Sequence, residues 1–322
     1  LQETPVAIAS TSRKVSALDE PVAGTGPAAE TQADDGVQGF ARPFCWLATA
    51  LILFVAGGCA SDPNKPFTTS DRMDSGLVII LPGIEGESSL NHDVRRGLLN
   101  GGLFYAMPIY RWGRPIPIAG PLLNQIDILG NRIEGKEIAN RIVSYQKSYP
   151  GRPVYLIGHS GGGGIAVFAA EALPKDVSID GLVLLSASIS SAYDLTNALG
   201  HCRKGILNIH SRADIGLLII GTMLAGNVDG IRGPAAGAIG FDRPTAKSSP
   251  QRIQAYQKLY QLELTGPLGN GSSGAHASTT RSSFITHYVL PWLMAASWPP
   301  PNLPGVATAE PTSTNALAAA DP

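Results

Sequence analysis

Cysteine, charge and long apolar runs are all scarce in this chain, and each shortage excludes something. Only three of its 322 residues are cysteines. Cys45 and Cys59 fall in one N-terminal stretch, so Cys202 is alone in the remainder and no disulfide framework can hold that part together. No Cys/His spacing suggests a zinc site. The nearest cluster, His201, Cys202 and His210, reads as ordinary structure. Charged residues make up 15% of the chain, the net charge is −1 and no basic block occurs. That argues against nucleic acid as a partner. What is plentiful is apolar content, 44%, enough for a sizeable core. The 37 glycines and 25 prolines gather at the ends and in loops.

The chain starts at Leu1 rather than Met, which fits a fragment, an alternative start or a processed end. Residues 1–43 are rich in Ala, Thr, Ser, Asp and Glu without sustained apolar periodicity, and read as a disordered or misassigned extension. The one apolar run, from Phe44 to Ala56 in "ARPFCWLATALILFVAGGCASDP", is too short to span a bilayer comfortably. A buried core segment is one reading of it. The other is a signal over residues 44–58: Arg42 precedes the run, small residues end it, and Cys59 follows. This arrangement resembles a bacterial lipobox. The resemblance implies export to the cell envelope and a lipid tether on Cys59. Residues 59–75 read as a polar linker, and 299–322, "PP" onward through "NLPGVATAEPTSTNALAAADP", as a disordered tail.

Between them the pattern is α/β. "LVIILPG" (Leu77 to Gly83) reads as a strand buried on both faces. "NHDVRRGLLN" reads as a short helix and "LFYAMPIYRWG" as the next strand. A long helix follows, with Asn131 as its N-cap, Ile133, Ile138, Ile142 and Val143 on its apolar face, and Pro150-Gly151 as its stop. "VYLIG", "DGLVLLSAS", "GILNIHS" and "QKLYQLELT" are further strands. Helices are expected after "VYLIGHS", near Leu195 to Leu199, and in "SSFITHYVLPWLMA" despite Pro291. Alternation of this kind predicts a mostly parallel, doubly wound sheet flanked by helices over residues 76–298.

Chemistry concentrates in Gly158-His159-Ser160-Gly161-Gly162. G-x-S-x-G between a strand and a helix places a serine on a tight turn at the sheet's C-terminal edge. Small residues two before and two after let the backbones pass closely. The N–H of Gly161, at the helix N-terminus, can stabilise a developing oxyanion. The competing reading is a glycine-rich helix N-terminus that binds phosphate. No lysine follows the glycines, and their spacing suits neither a P-loop nor G-x-G-x-x-G. A second N–H donor is expected from Ile84 in "LPGIEGESS", with Glu85 and Ser88 lining the pocket.

Taken in order, "LVIILPG", "VYLIGHSGGG", "ILNIHSRAD" and a late histidine resemble the α/β-hydrolase superfamily, across about Gly76 to Trp298. The resemblance implies a Ser, acid, His order. It points to Ser160 as nucleophile, Asp214 as acid and His276 as base. Asp194 is the runner-up acid, with Asp229 and Asp242 behind it. His287 lies inside the last helix, His159 is held beside its strand, and His92, His201 and His210 precede Asp214. The implied activity is hydrolysis of carboxylic esters, lipid esters and thioesters included, through an acyl-enzyme and without metal or organic cofactor. The chain lacks an HGGG-type oxyanion motif and a large insertion between "LVLLSAS" and "ILNIHS". The apolar stretch "IGLLIIGTMLAGNVDGIRGPAAGAIG" can wall an apolar pocket. A serine peptidase or amidase on the same fold, or a catalytically silent envelope-binding protein, are the alternative readings.

Overall fold

The computed structural model describes residues 62–113, 124–212, 226–264 and 275–300. The N-terminal extension, the signal-like segment with Cys59, Asp214 and most of the C-terminal tail lie outside the described residues. So do the side chains of Ala275 and His276.

Five strands form one parallel sheet in the order β1 (Leu77–Leu81), β2 (Val154–His159), β3 (Ile179–Leu185), β4 (Cys202–His210) and β5 (Leu259–Glu263). Every residue of β1 and β2 is buried, as continuous apolar runs in a sheet covered on both faces should be. Side chains alternate between two cores. Leu77, Ile79, Leu156 and Leu184 join one, beneath α3 (Ile128–Ser148), α4 (Gly161–Glu171) and α5 (Thr196–Gly200). Val78, Ile80, Tyr155, Ile157 and Val183 join the other, beneath α2 (Ser89–Asn100) and the closing helix. Among the described residues no helix is long and apolar enough to cross a membrane.

Some local expectations need correction. "LFYAMPIYRWG" is not a full strand. It makes parallel bridges at Leu77–Ala106 and Ile80–Ile109 only. Ala106 N–H donates to Gly76 O and Tyr110 N–H to Ile80 O. The rung between them would need an N–H at residue 108, which is proline. The outer edge of this segment is closed by the stretch read as linker. That stretch is structured from residue 62, with a 3₁₀ turn at Lys65–Phe67 and a short helix, α1 (Ser70–Ser75). Asn64 donates to Ile109 O and accepts from Ile109 N–H, as a neighbouring strand would, and Met107 N–H donates to Phe67 O.

Helix α3 is capped by Asp127, which accepts from Gly130 N–H, and not by Asn131. Asn131 is buried one turn in, donating to Asn124 O and Val228 O. The inward face of α3 is Gly135, Ile138, Ala139, Ile142 and Tyr145, whereas Ile133 is exposed. Beyond β4 come α6 (Ala236–Ile239), α7 (Pro250–Ala255) and, after β5, α8 (Ala275–Ser278). The closing helix, α9, takes Pro291 by changing pitch: Ser282–Phe284 is α-helical, Ile285–Val289 is a π turn and Leu290–Met294 is α-helical again.

Candidate active site

Ser160 sits at the junction of β2 and α4 with φ 52° and ψ −124°. A non-glycine residue rarely adopts a positive φ, and it does so where the surroundings over-determine it. Here they do. The Ser160 N–H donates to Leu185 O, and its carbonyl accepts from Gly163 N–H and Ser188 N–H. The glycines serve the same turn. A Cβ on Gly158 would fall 2.6 Å from Gly163 Cα, and one on Gly162 would run into the carbonyls of Leu81 and Pro82. Gly163 packs against Ala187, and Gly164 against Val228.

Ile84 and Gly161, the two oxyanion candidates, are neighbours through the Ile84 side chain. A Cβ on Gly161 would fall 2.6 Å from Ile84 Cγ2 and 3.3 Å from the Trp112 ring. Gly161 opens α4, so its N–H has no partner within the helix. Ile84 N–H meets no acceptor among the described residues. Glu85 folds back over Gly83 and stands 3.9 Å from Nδ1 of the buried His159. Ser88 has a capping role on α2, its N–H donating 2.9 Å to Asn91 Oδ1.

The acid and base candidates are placed only in part. Asp214 lies outside the described residues, four positions beyond His210 at the end of β4. His276 lies on α8, and only its backbone is described. The segment after α8 is anchored on the same edge of the sheet as Ser160. Thr279 is buried, its hydroxyl 3.3 Å from Ser186 Oγ, and Ser186 directly follows β3. Ser160 N–H in turn bonds Leu185, the last residue of β3. The runner-up acid, Asp194, has partners of its own. Its carboxylate accepts from Thr196 N–H and Oγ and pairs with Arg252 at 3.5 Å. Burial acts to raise its pKa, but these bonds and Arg252 outweigh it and hold the pKa below the usual value. Asp229 is partly buried, which raises its pKa despite backbone hydrogen bonds. His287 is exposed on the closing helix, with Nδ1 2.7 Å from Ser283 O.

Sequence reasoning missed several participants. Ser186 repeats the positive φ of Ser160, at 48°, but is fully buried and has Thr279 as a partner. Trp112 and Asn124 border the oxyanion side, with Trp112 Nε1 donating 2.7 Å to Pro82 O and Asn124 Nδ2 donating 3.2 Å to Ile84 O. Ser188, which donates its N–H to Ser160 O, has its hydroxyl bonded by Gln125 Nε2. His210 is buried, and burial lowers its pKa, with Glu263 opposing and Arg212 adding to the effect. Among the described residues no three His, Cys, Asp or Glu side chains are grouped to hold a metal ion.

No family model matches the chain. A 51-residue stretch is 43% identical to human monoglyceride lipase, and it spans 16% of this chain and 16% of the lipase. Among solved structures, esterase PE8 is similar over 64% of this chain and 90% of its own, at 14% identity and a TM-score of 0.38. The RedJ thioesterase from the prodiginine pathway of Streptomyces coelicolor is similar over 77% of this chain and 98% of its own, at 13% identity and a TM-score of 0.32. On its own topology, with a parallel doubly wound sheet and a serine on a positive-φ turn between the second strand and its helix, the chain has an α/β-hydrolase fold.

Proposed function

We propose that this chain is a serine hydrolase of carboxylic esters, lipid esters and thioesters included. The observation that carries the reading is the backbone of Ser160: a positive-φ serine at a strand–helix junction, beside Gly161 and Ile84, whose N–H groups meet no acceptor among the described residues. Such a site suits acyl transfer, because N–H donors beside an attacking serine can receive the negative charge that develops on the carbonyl. In this reading Ser160 Oγ forms a bond to the acyl carbon as its proton passes to His276. Asp214 orients the imidazole and stabilises the imidazolium. The C–O or C–S bond then breaks, and His276 returns the proton to the leaving alcohol or thiol. Water, deprotonated by His276, attacks the acyl-enzyme and releases the carboxylic acid with Ser160 restored. The 51-residue likeness to monoglyceride lipase supports ester substrates. We propose further that Cys59 carries a lipid that tethers the enzyme to a membrane of the bacterial envelope.

Purified protein is expected to turn over short p-nitrophenyl esters and to take a fluorophosphonate label. Ser160→Ala is expected to lose the label and at least about 10⁴-fold in kcat. Activity on peptides and not esters would favour the peptidase reading. Wild-type protein that neither labels nor cleaves would overturn the enzyme reading altogether.

A further inference from the structure

The oxyanion-side loop, Pro82-Gly83-Ile84, is held at each of its three carbonyls. The Trp112 indole donates 2.7 Å to Pro82 O. Gly86 N–H donates 3.0 Å to Gly83 O, closing a tight turn with Gly86 at φ 82°. Asn124 Nδ2 donates 3.2 Å to Ile84 O. In a trans peptide the N–H points opposite to the C=O. Fixing Gly83 O toward Gly86 therefore fixes Ile84 N–H in the reverse direction, and the clamps on either side stop the two neighbouring peptides from rotating.

The clamps are themselves braced by α3. Glu134 accepts from the Tyr110 hydroxyl at 3.2 Å and from Gly113 N–H at 3.4 Å, on either side of Trp112. Asn131 donates 3.0 Å to the carbonyl of Asn124. The Asn124 amide also packs on Gly113, where a Cβ would fall 2.6 Å from it. Trp112 and Asn124 are both buried, so these bonds do not compete with bulk water. The Trp112 ring also walls the space over Gly161, the other oxyanion candidate.

We propose that Trp112 and Asn124 are positioning residues for the oxyanion hole: they hold the Pro82 and Ile84 carbonyls so that Ile84 N–H meets the tetrahedral intermediate. The proposal rests on the serine-hydrolase reading above. Neither side chain has to touch the reacting atoms. A donor that is preorganised costs no reorganisation at the moment of reaction, and a loosened one loses that advantage in the transition state alone.

The test uses Trp112→Phe, which keeps a ring but removes the indole N–H, and Asn124→Asp, which keeps the shape but presents an acceptor to Ile84 O. Circular dichroism and thermal melting check folding, and the extent of fluorophosphonate labelling counts competent sites. The rate per labelled site on a soluble p-nitrophenyl ester is then split into kcat and KM. A fall in kcat of about tenfold or more is expected in each variant, short of the ~10²–10³ lost with a whole oxyanion donor. KM should stay within about twofold. Inhibition by a trifluoromethyl ketone should weaken in proportion to kcat/KM, because that adduct needs the oxyanion donors. If one variant fails to fold, the other decides. An active wild type with kcat unchanged in the folded variants, or with the loss confined to KM, overturns the proposal alone. A wild type without esterase activity overturns both it and the reading beneath it.

Discussion

Ser160 and Gly162 form a single device, since the strained φ of the serine persists only while the chain behind it can pass close to β1. Gly162 has the carbonyls of Leu81 and Pro82 where a Cβ would stand. Those atoms are backbone at the end of a buried strand and cannot turn aside. Gly162→Ala is therefore expected to destabilise the fold by about 1–3 kcal/mol, as overpacking does. Activity should fall as well, because Pro82 leads into the oxyanion loop. Chemical denaturation against the wild type measures the first effect, and unchanged stability would show that the close approach is not constraining. His210 supports a second prediction. Burial lowers its pKa in the folded state, while the unfolded chain keeps a value near 6.5. Protons then bind the unfolded state more readily. Stability should be full above about pH 6.5, decline as pH falls through that value, and level off below the folded-state pKa. His210→Gln should flatten this slope between pH 7.5 and 5.5, and an equal slope in both proteins would remove His210 as the cause. The positive-φ turn at Ser160 is legible in the sequence because strand, turn and helix lie together in the chain. Trp112 and Asn124 are not, because their bonds to Pro82 and Ile84 span 30 and 40 residues and no local pattern announces them.

Elements were legible where apolar periodicity alone decides them, and misread where a single polar or proline residue does. The four buried strands β1 to β4 follow their apolar runs. The segment 104–110 has the composition of a strand, but Pro108 removes one rung. Asn131 has the chemistry of a cap, but its amide is used inside α3, and Asp127 caps instead. Most instructive is Asn64, which sits in a polar stretch yet closes the sheet. Its side-chain amide makes both bonds that a sixth strand would make to Ile109, and its Oδ1 also accepts from Arg95 at 3.3 Å. An open edge offers unpaired N–H and C=O groups to another chain. Asn64→Ala should cost about 1–3 kcal/mol, since partly buried backbone groups of Ile109 lose their partners. It should also make the protein associate as its concentration rises. Light scattering over a concentration series tests this, and a variant that stays as dispersed and as stable as wild type would show that Asn64 does not guard the edge.

For the whole molecule, catalysis and location are separable, and the proposed anchor at Cys59 allows them to be tested apart. The described fold begins at residue 62, and every residue assigned to the chemistry lies beyond it. A lipid on Cys59 would add no group to the site. Its contribution would be to raise the effective concentration of the enzyme at a surface where apolar substrates collect. One acyl chain alone holds a protein only marginally and reversibly, so a stable anchor would need a second chain or a further contact. Cys59→Ser should therefore move the protein from the membrane fraction to the soluble fraction of cells that process lipoproteins. Its kcat/KM per labelled site on a soluble short-chain ester should match the wild type, because Ser160 and its neighbours are untouched. Its rate on esters embedded in vesicles should fall, and the deficit should shrink as vesicle concentration rises, since mass action can replace the tether. A deficit that appears equally on the soluble ester would mean that Cys59 supports the fold or the site. Equal membrane partitioning of wild type and variant would end the anchor proposal while leaving the hydrolase reading intact.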